Sequence, residues 1–188
     1  MEMVKKCKVL GVLIRSDLRW VDNTDYITKK GYERLWILRR LKRLGASEID
    51  LLDVYTKQVL SVLELAVPVW NPGLTIEEIK QIERVQKTAF YIILGGKYLN
   101  YELALEALGC LTLKERRENI CLKFAKKALK HEKFSNWFVP TSTKPNVTYP
   151  NTRSSKSKPA TLVEVPYRTD RYRESPLPYL TRLLNGSN

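Results

Sequence analysis

Apolar residues recur at helical spacing along most of the chain up to His131, and at strand spacing only near the start. Val9–Ile14 is dense in β-branched and aliphatic residues around Gly11 and predicts a buried strand or hairpin arm. Asp22–Asp25 offers polar groups suited to a helix start. Ile27, Leu35, Leu38 and Leu41 then recur at helical intervals over Tyr26–Leu44, with Gly45 as the stop. Ser47 with Asp50 is an approximate capping box ahead of a strongly apolar helix over Leu51–Val67, which Pro68, Pro72 and Gly73 end. Thr75 with Glu78 is a full box opening a third helix through Leu94. A short helix over Tyr101–Leu108 closes at Gly109, and Thr112 with Glu115 caps a last one reaching about His131.

This pattern predicts a mainly α fold. A bundle of about five helices is preceded by one short β-strand and followed by an irregular tail. The divisions fall at residues 1–20, 21–95, 96–132 and 133–188. The last segment carries seven of the nine prolines and a Ser/Thr/Lys stretch over Thr152–Lys158, a composition that predicts extended or disordered chain. Leu177–Leu184 is apolar again and is expected to dock back on the helices.

Charge narrows the function. The 188 residues carry a formal net charge of +13, with nine Lys and Arg against three Asp and Glu in the final segment. Such a surplus favours a polyanionic partner, nucleic acid first and an anionic membrane surface second. The apolar faces are committed to a bundle, which argues against the membrane. No apolar run approaches the ~18 residues that span a bilayer, and no secretory signal opens the chain, so an intracellular protein, nuclear or cytoplasmic, is expected. Cys110, Cys121 and the single His131 match no zinc-ligand spacing, and Cys121 beside Ile120 and Phe124 reads as a buried thiol.

The first long helix is the best candidate for nucleic acid. Lys29, Trp36, Arg40 and Arg43, with Arg39 alongside, lie opposite Ile27, Leu35 and Leu38. A basic stripe holding an exposed aromatic suits phosphate contacts and packing on sugars or bases. The last helix repeats the idea with Lys123, Lys126, Lys127 and Lys130 outside and Ile120, Phe124 and Ala128 inside. Arg116 and Arg117 near its start are further candidates for phosphate, or for local pairing with Glu115 and Glu118. Trp70, between Pro68 and Pro72, reads as a core plug. Trp137 and Phe138 are placed to close the end of the last helix.

Six stretches in order resemble one family. They are Leu10–Trp20 (LGVLIRSDLRW), Arg34–Arg43 (RLWILRRLKR), Ser61–Leu74 (SVLELAVPVWNPGL), Ile82–Gly95 (IERVQKTAFYIILG), Tyr101–Leu129 and Arg171–Asn185 (RYRESPLPYLTRLLN). Together they resemble the C-terminal part of LINE-type non-LTR retrotransposon reverse transcriptases. The resemblance implies that Val9–Ile14 is the closing strand of a palm whose other strands lie outside this chain. It implies that residues 21–95 are a thumb-like bundle and 96–132 the connecting helices. It also makes the missing palm and fingers a partner surface.

Polymerisation by the two-metal route needs paired carboxylates. The sequence has no Asp-Asp, and its one adjacent acidic pair, Glu77-Glu78, sits in the first turn of a capped helix. No catalytic residue, metal ligand or cofactor is therefore expected in this chain, the Mg²⁺ of the family belonging to the palm. The function expected is sequence-non-specific binding of a DNA or RNA duplex or hybrid. The alternative is a catalytically inert helical protein-interaction module or transposon remnant.

Overall fold

A computed structural model describes residues 5–140, 162–164 and 166–187. The described chain is mainly helical with one two-stranded sheet, and it forms two compact units, Met1–Glu118 and Asn119–Asn188.

The first unit opens with an antiparallel hairpin of β1 (Lys6–Val9) and β2 (Val12–Arg15), in register from Lys6 opposite Arg15 to Val9 opposite Val12. The single strand expected over Val9–Ile14 is thus split. Leu10 (φ +47°) and Gly11 (φ +90°) make the tight turn, both in the left-handed region that a two-residue hairpin loop demands. A side chain at Gly11 would also collide with Leu65, whose Cδ2 lies 2.8 Å from where a Cβ would stand. Every residue of β1 is exposed, while Val12 on β2 is buried.

Helix α1 (Val21–Arg43) starts five residues before the expected Tyr26. Asn23 and Thr24 are buried and do not cap it; the Asn23 side chain instead accepts from the Leu13 amide at 3.1 Å and ties the helix to the hairpin. Arg15 strengthens that tie by bridging Asp17 at 2.9 Å and Asp22 at 3.1 Å.

The apolar run after Ser47 is not one regular helix. Helix α2 (Glu48–Val54) passes into a π-helical turn (Tyr55–Leu60) and then α3 (Ser61–Leu63). A wider turn frees a carbonyl from the helical ladder. The Arg34 guanidinium of α1 donates to the Gln58 carbonyl and reaches the Ser61 hydroxyl at 3.3 Å. Ala66, left-handed at φ +53°, breaks the run, and α4 (Val67–Trp70) begins with Pro68 in its first turn. Trp70 fills the core as expected: it is fully buried, and its indole N–H donates to the Leu65 carbonyl at 2.7 Å.

Helix α5 (Ile76–Leu94) carries the expected capping box in full, Thr75 Oγ1 accepting from the Glu78 amide and the Glu78 carboxylate from the Thr75 amide. Its buried Ile82, Val85, Ala89, Phe90 and Ile93 form the centre of the unit, and α1 packs along it. Gly31 is where that packing is tightest. A Cβ there would stand 3.0 Å from Val85 Cγ1 and 3.2 Å from Leu63 Cδ2. Gly31→Val should therefore destabilise by about 1–3 kcal/mol in urea unfolding. Gly31→Ala should cost less, because alanine's helix propensity offsets part of the crowding.

Helices α6 (Tyr101–Leu108) and α7 (Leu113–Lys130) follow, the latter with Thr112 and Glu115 closing a second capping box. Glu83 of α5 adds its carboxylate to the start of α7, accepting from the amides of Leu113 at 3.2 Å and Lys114 at 2.7 Å and from the Tyr101 hydroxyl at 2.7 Å. A carboxylate at this end is favoured by the helix dipole.

Tyr55 is fully buried, and its hydroxyl meets no hydrogen-bond partner among the described residues. Burial pushes its phenol well above the ordinary range, and burial followed by Glu83 does the same for Tyr101. Folded-state values raised above the unfolded ~10 mean that both contributions are intact below pH ~10 and fade as the unfolded phenols ionise above it. Tyr55→Phe is expected to be neutral or mildly stabilising at pH 7, and to flatten the loss of stability above pH ~10 in alkaline melts.

In the second unit Ser135–Trp137 forms a 3₁₀ turn, and Pro140 bridges Leu162. The Asn185 amide holds Leu162 from both sides, accepting from its N–H and donating to its carbonyl, each at 3.1 Å. Residues 141–161, which include the Ser/Thr/Lys stretch, lie outside the described residues. The tail expected to be irregular contains two helices, α8 (Asp170–Arg173), capped by Thr169, and α9 (Pro176–Gly186). Pro176 begins a helix because the first position needs no amide hydrogen. Leu180 and Leu184 of the apolar end are buried; Phe138 is buried too, whereas Trp137 is 44% exposed.

Candidate nucleic-acid interface

The face of α1 turned away from Ile27, Leu35 and Leu38 is exposed and carries the expected residues together. Lys29, Trp36, Arg39, Arg40 and Arg43 are all exposed, Trp36 at 61%. Tyr32 joins them at 40%, three residues after Lys29 and four before Trp36. Sequence reasoning missed Tyr32, although its spacing from two chosen residues was the available signal. None of the four cations forms an ion pair with a described residue.

Neighbouring cations of the same helix are engaged elsewhere. Arg34 is held by the π turn, and Lys42 Nζ donates to the Ile93 carbonyl at 2.7 Å. The acidic Asp22 and Asp25 lie at the N-terminal end of α1, and Arg39, Arg40 and Arg43 at its C-terminal end, an order that also suits the helix dipole. The face can therefore offer four cations unpaired with any described carboxylate and two aromatic rings to a partner, with exposed Glu33 alongside them.

At the flank of this face β1 meets α1. Lys8 Nζ donates to the Tyr26 hydroxyl at 2.6 Å and stands 4.6 Å from the ring centre, with Lys30 Nζ 4.7 Å from the same centre. Hydrogen bonding from Lys30, then from Lys8, holds the Tyr26 phenol below its ordinary range.

At the start of α7 the two guanidiniums expected to meet phosphate are engaged within the fold. Arg117 is buried, its Nε donating to Asn71 Oδ1 at 2.9 Å and its Nη2 lying 3.9 Å from Glu83. It sits four residues after buried Leu113 and four before buried Cys121, so its place on the inner stripe was readable. Arg116 is half-buried in a two-pronged bond to Glu64, at 2.5 and 3.1 Å, which raises its already high pKa further and commits its guanidinium. Neither pairs as expected with Glu115 or Glu118.

Lys123 and Lys127 are exposed on the part of α7 that belongs to the second unit. The inner stripe there is Cys121, Ala125 and Ala128, and Phe124 is 39% exposed. The buried stripe is thus turned by about one position from the expected face.

Glu77 and Glu78 lie in the first turn of α5 as expected. Glu78 completes the capping box, and Glu77 pairs with Arg84 at 3.0 Å. Among the described residues no group of three or more His, Cys, Asp or Glu could hold a metal ion. No described helix is long and apolar enough to cross a membrane. Compared with protein-family models, curated proteins and solved structures, the chain matches none.

Proposed function

We propose that the chain is a thumb-like C-terminal region of a LINE-type reverse transcriptase that grips nucleic acid through the outer face of α1. The observation that carries this reading is one exposed helix face holding Lys29, Tyr32, Trp36, Arg39, Arg40 and Arg43, its cations unpaired with any described carboxylate. Four cations over a helix of this length suit successive backbone phosphates, and they read charge rather than sequence. Polymerisation belongs, in this proposal, to palm carboxylates outside these residues, so the chain itself holds no Mg²⁺ and catalyses nothing.

A second reading, a helical interaction module, draws on the apolar tip of the hairpin, where Leu10 is 94% and Val9 47% exposed. Lys6 and Lys8 on the same exposed strand oppose edge-to-edge pairing, which disfavours self-association through β1.

The test is a salt titration of binding to a short hybrid of mixed sequence. Four neutralised phosphates give a slope of log affinity on log salt of about −3.6 and a loss of roughly a hundredfold between ~50 and ~200 mM. Scrambling the sequence should leave affinity unchanged. Binding that ignores salt, or is absent at low salt, rejects the proposal.

A further inference from the structure

The hairpin and the second and third turns of α1 bring two ammonium groups onto one phenol. Lys8 and Lys30 stand 4.6 and 4.7 Å from the centre of the Tyr26 ring, and Lys8 donates to its hydroxyl oxygen at 2.6 Å. Lys8 is held there by its bond to the phenol oxygen and Lys30 stands within cation–π reach of the ring, yet two like charges gathered at one ring repel each other. Arg15, on the neighbouring strand, is matched by Asp17 and Asp22. Here neither ammonium lies within ion-pair distance of a described carboxylate, and Lys6 adds a further exposed cation on the same strand.

We propose that Lys8, Tyr26 and Lys30 form a binding site for one phosphate group. The counter-charge the cluster lacks is an oxyanion, and the cluster has the donors one needs. Two ammonium groups supply charge-assisted hydrogen bonds, and the phenol, whose oxygen already accepts from Lys8, keeps its own proton to donate. Tyr26 is only half-exposed and rooted in α1, so it fixes where the two flexible lysines converge. The dianion of a phosphomonoester balances the two charges best. It can come from the end of a strand or from a free phosphate or nucleotide. The site uses none of the α1 residues assigned to the grip, and it stands whether or not that proposal does.

Titration of the isotope-labelled protein with inorganic phosphate, at constant ionic strength in chloride, reads the site directly. Signals of the Tyr26 ring and of the Lys8 and Lys30 side chains should shift with a saturating curve. Lys8→Met with Lys30→Met should abolish the shifts, and Tyr26→Phe should weaken binding by about two- to fivefold. Arg40→Glu with Arg43→Glu should leave them intact, which separates this site from the helix face. A 5′-phosphorylated oligonucleotide binding tighter than its 5′-hydroxyl counterpart, with the difference lost in the double Met variant, assigns the phosphate to a strand end. Equal binding of the two with phosphate shifts present assigns it to small phosphates. Absence of saturable shifts, or shifts that survive in the double Met variant, overturns the proposal.

Discussion

Trp70→Ala is expected to remove about 3–5 kcal/mol of stability, the largest effect of any single substitution in the first unit. Trp70 is fully buried and is among the largest side chains with no solvent contact, so truncation leaves a cavity in a close-packed interior. The indole also serves a backbone need. Its N–H is bonded to the Leu65 carbonyl at 2.7 Å, at the place where the chain leaves α3 and turns through left-handed Ala66. Trp70→Phe keeps much of the apolar volume but leaves that carbonyl without the indole donor, and should cost an intermediate ~1–3 kcal/mol. Domains of this size hold only about 5–15 kcal/mol in reserve, so the alanine variant should melt at least ~10 °C lower and be partly unfolded at 37 °C. Thermal melts followed by far-ultraviolet circular dichroism read both variants. A loss under ~1 kcal/mol for alanine would mean that the site is not close-packed as described.

Arg40→Glu combined with Arg43→Glu is the second large effect, and it falls on binding alone. Both side chains are exposed and pair with no described carboxylate, so the fold should tolerate the change. Removing two phosphate contacts and adding two repulsive charges should weaken binding by about 10- to 100-fold at low salt. The salt slope should fall by about two in magnitude, from about −3.6 toward −1.8, equally for every sequence. Lys123→Glu with Lys127→Glu changes the same net charge on α7. If the α1 face is the grip, that pair should cost clearly less.

Much of this architecture was legible in the chain because its helices are punctuated by local chemistry. Ser47, Thr75 and Thr112 each cap the helix that follows through bonds spanning three residues, and such bonds depend little on the rest of the fold. Trp70 between two prolines was readable as core for a similar reason. The outer face of α1 was legible because its period is simple and its cations lie opposite Leu35 and Leu38.

Several of the misses depend on a partner distant in sequence. The hairpin turn uses Leu10-Gly11 rather than a common turn pair, and it is fixed by β1 pairing and by Leu65 beneath Gly11. The π turn at Tyr55–Leu60 is stabilised by Arg34, more than twenty residues earlier. Arg117 lies on the inner stripe of α7, and it is Asn71 and Glu83, distant in sequence, that receive its charge there. Pro176 and Pro178 counted toward a proline-rich irregular tail, although α9 begins at Pro176. Nothing in the sequence pattern singled out Lys8 and Lys30, which the hairpin and α1 bring together at Tyr26.

The central claim, that the outer face of α1 is where nucleic acid is held, is tested most directly by mapping amide shifts as a short RNA–DNA hybrid is added at low salt. The account predicts that perturbations concentrate on Lys29, Tyr32, Trp36, Arg39, Arg40 and Arg43 and fade as salt is raised. Perturbations that bypass α1 altogether, or a spectrum unmoved by saturating hybrid, would contradict it.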